Sequence, residues 1–193
     1  MELDVNRYSK LLVLMLFFVI SCASGTGTMR VFVREGVDIS YIKRVAVLRF
    51  ENHTRDKFAA ERLRDIVANE ILALGLFDVV DKSIVDVVLN EEVGKKEVSL
   101  DKGTMRRIAK RLGVQALVLG SVDDYRMESK GTFSYPVVAL TLRLVDGRSG
   151  EIIWSASASK TGYSFWGRLF GLKPKDIMEV SFELVHSMLK RLK

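Results

Sequence analysis

Two hydrophobic periods alternate along this chain, and the switches between them lay out an α/β domain. Arg44-Val-Ala-Val-Leu-Arg-Phe50 is a short apolar, β-branched run that predicts a strand. After the polar loop Glu51 to Asp56, Ala60, Leu63, Val67, Ile71 and Leu74 recur at steps of three and four. That spacing predicts a helix from Lys57 to Leu74, which Gly75 ends as a left-handed cap. Phe77-Asp-Val-Val-Asp81 is a second strand, and Ser83 is placed to cap a short helix through Leu89. Thr104 opens a further helix with Met105, Ile108, Ala109 and Leu112 inward, its arginines outward and Gly113 as its stop. Ala116 to Val122 is nearly all apolar, the pattern of a strand buried on both faces.

Strand, helix, strand, helix, strand with short joints predicts parallel pairing and right-handed crossovers. The second half changes period. Leu140, Leu142 and Leu144 alternate with Thr141 and Arg143. Beyond the turn Asp146-Gly-Arg-Ser-Gly150, Ile152, Trp154, Ala156 and Ala158 share one side. This is an antiparallel hairpin. A closing helix over Lys175 to Leu192 carries Met178, Phe182, Val185, Leu189 and Leu192 inward, with Lys190 and Arg191 at the negative end of its dipole. The fold class is therefore α/β: a mixed sheet of three parallel strands plus an antiparallel hairpin, packed with helices.

The N-terminus follows a different logic. Arg7 and Lys10 precede an unbroken apolar run, Leu11 to Ile20, and then Ser21. Glu2 and Asp4 offset the two basic charges, but the order of regions is that of a secretory signal peptide. The run is too short to cross a bilayer, which takes about 20 helical residues. Val19-Ile-Ser-Cys22 resembles the lipobox of bacterial lipoproteins. The resemblance implies cleavage before Cys22, acylation of its thiol and new amino terminus, and, with Ala23 next, delivery to the outer membrane. Several acyl chains, at about 0.8 kcal/mol per buried methylene, make a durable anchor. The expected organisation is a signal peptide over 1–21 and the lipidated cysteine with tether and N-terminal extension over 22–40. A single α/β domain follows over 41–193, and Ala23 to Thr28, rich in Ser, Gly and Thr, serves as the flexible tether.

Composition narrows the functions. The chain has 193 residues, 28% charged and 48% hydrophobic, an ordinary globule once the leader is set aside. With its one cysteine committed to lipid, the domain has no internal disulfide to draw on. Two histidines, His53 and His186, fall short of a zinc ligand set. The net charge of +6 would suggest nucleic acid in a cytosolic protein; in an exported one its anions are lipid head groups or acidic partner surfaces. Much of the excess lies at Lys95, Lys96, Lys102, Arg106, Arg107, Lys110 and Arg111, which reads as a solvated helix face.

The order of motifs resembles the CsgG-like family, which includes the curli secretion lipoprotein and relatives of the lipoprotein activators of penicillin-binding proteins. The residues that carry it are Val45-Ala-Val-Leu48 with Phe50 and Asn52, Gly75-Leu-Phe-Asp-Val-Val-Asp81, Ile108 through Val122, Leu142-Arg-Leu-Val-Asp146 and Ser149-Gly-Glu-Ile-Ile-Trp154. The resemblance spans roughly residues 40–160 and implies a fold like the anticodon-binding domain. The curli protein is a pore whose subunits donate two membrane hairpins. The corresponding gaps here, between Val122 and Val137 and between Lys160 and Lys175, hold fourteen residues each. Two membrane strands need about 18 to 22, so the periplasmic domain carries over and the pore does not.

No motif carries catalysis: there is no phosphate-binding glycine loop, nucleophile elbow or histidine pair at metal spacing. His53, near Glu51 and Asp56, reads as a solvated loop residue, and His186 as a surface or half-buried one. Tyr163, Phe165, Trp166, Arg168, Leu169 and Phe170 crowd a glycine-broken loop, suited to a membrane or partner interface or to covering the sheet. The expectation is a non-enzymatic outer-membrane lipoprotein, facing the periplasm, that assembles or regulates an envelope complex. It needs no cofactor or metal, and its partners are membrane lipid through Cys22, an envelope protein and possible further copies of itself, not nucleic acid. Alternatives are a subunit of a curli-type secretion channel, a lipoprotein activator of a peptidoglycan synthase, and an envelope hydrolase using His53.

Overall fold

The apolar run at Ala116 becomes a central strand of a seven-stranded mixed sheet. The computed structural model describes residues 27–93, 100–131, 133–163 and 175–192. Its strands are β1 (Gly27–Val33), β2 (Arg44–Val47), β3 (Glu51–Asn52), β4 (Asp78–Val79), β5 (Ala116–Lys130), β6 (Phe133–Asp146) and β7 (Ile152–Thr161). Its helices are α1 (Ala59–Ala73), α2 (Lys82–Val93), α3 (Lys102–Leu112) and α4 (Ile177–Leu189), the last continued by a 3-10 turn over Lys190–Leu192. The sheet order is β1-β7-β6-β5-β2-β4, with β3 beside β5. Parallel pairing joins β4, β2, β5 and β3, and antiparallel pairing joins β5, β6, β7 and β1.

Alternate residues of the central strands feed two cores. Val45, Val47, Val118, Leu140, Leu142 and Leu144 pack under α1 and α4, against Leu63, Val67, Leu184 and Met188. Ala46, Leu48, Leu117 and Val145 pack under α2 and α3, against Val85, Leu89, Met105 and Ile108. Burial of each such Val or Leu contributes about 1.5–3 kcal/mol, so the two-sided strands dominate the stability.

Several expectations are corrected. The hairpin strands do not stop at Val122 and start at Val137. Pairing continues to Lys130 opposite Phe133, closed by Gly131 at φ 66°. A bulge between Val122 and Asp124 adds one residue, so Val122 and Tyr125 face the same core. The polar residues after Val122 hide this from an apolar-run reading. Within the stretch expected to be tether and extension, Gly27–Val33 forms β1, paired along its length with β7 from Gly27↔Lys160 to Val33↔Trp154. Its side chains are almost all exposed, so it shows no alternation to find.

On α4, Met178 and Phe182 are 37% and 40% exposed, while Val180, Leu184 and Met188 are buried. The true stripe lies about half a turn round from the one those two residues mark, although Val185, Leu189 and Leu192 belong to it. Ile152 is exposed and Ile153 buried beside Trp154, because β7 bulges between its pairings to Leu144 and Val145. Aspartates cap α2 and α3: Asp81 accepts from the Ser83 N–H and Asp101 from the Thr104 N–H, each at 2.8 Å.

Candidate partner-binding surface

Helices α2 and α3 cover only part of their side of the sheet. Over β6, β7 and β1, that side presents Thr141 and Arg143, then Ser155, Ser157 and Ser159, then Thr28, Arg30 and Phe32. The register sets these in cross-strand rows: Arg30, Ser157, Thr141 and Ser121 in one, Phe32, Ser155 and Arg143 in the next. Arg30, Phe32, Arg143 and Ser157 are exposed. A shallow groove of ≈ 260 Å³ follows Thr28, Arg30, Asp123, Ala139, Ser157 and Ser159.

Hydrogen bonds organise this floor. Asp123, the extra residue of the β5 bulge, accepts from Ser121 Oγ at 2.8 Å and from Thr141 Oγ1 at 2.9 Å. Thr141 has one hydroxyl proton, so with that proton on Asp123 the 3.0 Å contact to Ser157 Oγ requires Ser157 to donate. The relay of hydroxyls therefore ends on a fixed carboxylate. Thr28 and Ser159 pair at 3.0 Å further along. At the border, Lys102 reaches Glu151 at 3.0 Å and Arg34 pairs with the same carboxylate; the two cations hold its pKa below the usual range. Small hydroxyls with two outlying guanidinium groups can hydrogen-bond a flat partner and fork onto its carboxylates.

The residues singled out from sequence fall in different places. Cys22, Phe165, Trp166, Arg168, Leu169 and Phe170 lie outside the described residues. Tyr163 is half-buried against the β5–β6 hairpin, its ring centroid 5.2 Å from that of Tyr135 and 6.3 Å from that of Phe133, both edge-on. His53 is well exposed, with Nε2 3.5 Å from Glu51 Oε2. His186 Nδ1 lies 2.8 Å from Glu70 Oε2 and ties α4 to α1. The arginines of α3 do more than face solvent: Arg107 and Arg111 each reach Glu92 of α2 at 3.1 Å. Those two contacts keep the Glu92 pKa below the carboxylate range. Among the described residues no cluster of His, Cys, Asp or Glu could hold a metal ion, and no helix is long and apolar enough to cross a membrane.

Sequence reasoning found β6 and β7 but neither β1, which it read as tether and extension, nor the open face the three strands form. Its signal was present in the serines at 155, 157 and 159, opposite Thr141 and Arg143. A polar row on a strand looks the same whether a helix covers its neighbours or not.

A family model described as the peptidoglycan-synthase activator LpoB matches residues 27–159, from the first residue of β1 into β7. The chain belongs to this family. The match falls on the penicillin-binding-protein-activator side of the resemblance drawn from motifs and gives the curli-secretion side no support. The family is thus one of regulators of a synthase. Among solved structures, a PelC dodecamer from Paraburkholderia phytofirmans is 23% identical, with a TM-score of 0.61 over 86% of this chain and 97% of PelC. Lipoprotein GNA1162 from Neisseria meningitidis is 18% identical, with a TM-score of 0.51 over 67% of this chain and 92% of its own. Both likenesses are of fold. No curated protein sequence matches this family member.

Proposed function

We propose that this chain is an outer-membrane lipoprotein, anchored through Cys22 and facing the periplasm, that binds a peptidoglycan synthase and activates it without chemistry of its own. The family match over residues 27–159 carries the reading. The open face of β6, β7 and β1 supports it, since it offers hydrogen-bonding groups and cations for recognition. Confinement to a membrane raises effective concentration, so contacts of modest strength suffice.

The test is capture of a bifunctional penicillin-binding protein from the same cell by the purified, acylated chain, with the rate of glycan polymerisation as readout. The expected result is capture together with a faster rate. Arg143→Glu should weaken both by about tenfold while leaving thermal melting unchanged, since it reverses an exposed charge at the contact. A wild-type chain that neither captures nor stimulates the synthase overturns the reading.

A further inference from the structure

The two ends of the sheet differ in a way that orients the molecule. At one end lie the Asp146–Gly150 turn and the last residue of β1, Val33, which pairs with Trp154. At the other, β5 turns into β6. Gly27 opens β1 opposite Lys160, and Lys160 pairs with Val138, so β1 begins at the end of the sheet where β5 turns into β6. From the level of Val138, β6 projects five residues further, to Phe133. At strand rise that is about 17 Å. Cys22 also stands five residues before Gly27, a reach of at most about 18 Å. A chain of that length is long enough to let Cys22 reach the level of the tip.

The projecting tip is aromatic. Phe133 and Tyr135 lie on one face of β6, and both meet the ring of Tyr163 edge-on, where β7 has just ended. Met127 is exposed on the facing strand. The charges nearby cancel: Arg126 holds Asp124 and Glu128, Lys160 and Lys175 share Glu183, Lys175 also reaches Glu179, and Lys130 stands opposite Phe133, which makes four cations and four carboxylates. Tyrosine and phenylalanine rings without net charge suit the interfacial layer of a bilayer, where a ring body is buried and a hydroxyl stays wet.

We infer that the tip of the β5–β6 hairpin, with Phe133, Tyr135 and Tyr163, rests in the lipid head-group layer beside the acylated Cys22, so that the sheet stands upright on the membrane. This rests on the anchor reading above. It makes the protein a two-point attachment with fixed orientation, in which the open face of β6, β7 and β1 is turned sideways, available to a partner. Because the tip is near neutral, its contact requires no anionic lipid and resists salt.

The chain has one cysteine, so an acylated protein carries no free thiol and a spin label can be placed at will. Ser134→Cys puts a nitroxide at the exposed tip, and Arg148→Cys puts one in the exposed turn at the far end. The full acylated chain is reconstituted in phosphatidylcholine vesicles, with and without added salt. Collision of the Ser134 label with a water-soluble nickel chelate should fall about fivefold or more relative to detergent-free chain, independent of salt, with the Arg148 label unchanged. An acylated chain whose tip label collides with nickel as freely as the far label overturns this inference alone. A native mass showing Cys22 without acyl chains overturns the anchor reading and this one with it.

Discussion

Arg64 of α1 donates to the carbonyl oxygen of Val47 twice, from Nε at 3.1 Å and from Nη2 at 2.9 Å. Strand β4 is too short to serve that carbonyl: Val80 N–H bonds Val45, and the next outward oxygen of β2 would face nothing. The guanidinium, 4% exposed, stands in for the missing strand, and its Nη1 grips Asp86 of α2 at 2.9 and 3.1 Å. One side chain therefore joins α1, β2 and α2. Arg64→Ala should cost about 3 kcal/mol, because it orphans a buried carbonyl and leaves the half-buried Asp86 carboxylate only the 3.8 Å ion pair with Arg49. Arg64→Lys should recover little of it, since a single ammonium cannot fork to both partners. Urea unfolding of the two variants measures this.

Tyr41 donates to Asp146 Oδ1 at 2.7 Å. Burial, and then that bond, push the phenol from its ordinary 10 up to about 12. The folded state thus keeps a proton that the unfolded chain has lost, and the stabilisation present below pH 10 disappears as pH rises through 12. Unfolding midpoints of wild type and Tyr41→Phe should differ by a constant amount between about pH 6 and pH 10 and converge toward pH 12. On the acid side, burial works to raise the Asp146 pKa, but the bonds from Tyr41 and Ser149 outweigh it and leave it lowered. Its contribution is present above about pH 4 and is lost as pH falls through the folded value, so Tyr41→Phe should also flatten part of the acid transition.

Gly120 of β5 lies flat against the ring of Phe50. A Cβ there would stand 2.6–2.7 Å from three ring carbons, and the buried ring has no free direction to retreat. Gly120→Ala should destabilise by about 1–3 kcal/mol. The penalty should shrink in a Phe50→Leu background, a non-additivity that a double-mutant cycle reads directly.

Asp123 terminates the hydroxyl relay on the open face. Asp123→Ala should lower stability by only about 1 kcal/mol, since the site is exposed to water. It should nevertheless impair capture of the synthase, because Ser121 and Thr141 lose the acceptor that fixes their orientation. Asp123→Asn, which keeps one acceptor oxygen, should retain part of the binding.

Strong periodicity was readable where burial was two-sided or cleanly alternating. Val45 to Leu48, the Leu63, Val67 and Ile71 stripe, and Leu140, Leu142 and Leu144 all fall where spacing places them. Two of the errors share a cause. β1 and the outer half of the β5–β6 hairpin are held by backbone pairing and carry little apolar patterning. Such strands exist because a neighbouring edge has unpaired N–H and C=O groups to offer. Met178 and Phe182 misled for the opposite reason: they are apolar and at helical spacing, yet they stay exposed among the described residues.

The sequence alone determined the α/β class, the parallel first half and the hairpin, because each is written in local order and short-range period. Only the tertiary structure decided that no helix among the described residues covers one flank of the sheet, that Asp123 gathers hydroxyls from two strands, and that Gly27 and the aromatic hairpin tip lie at the same end of the sheet. Those facts depend on register between residues far apart in the chain, and register is set by the sum of many pairings, not by any one stretch.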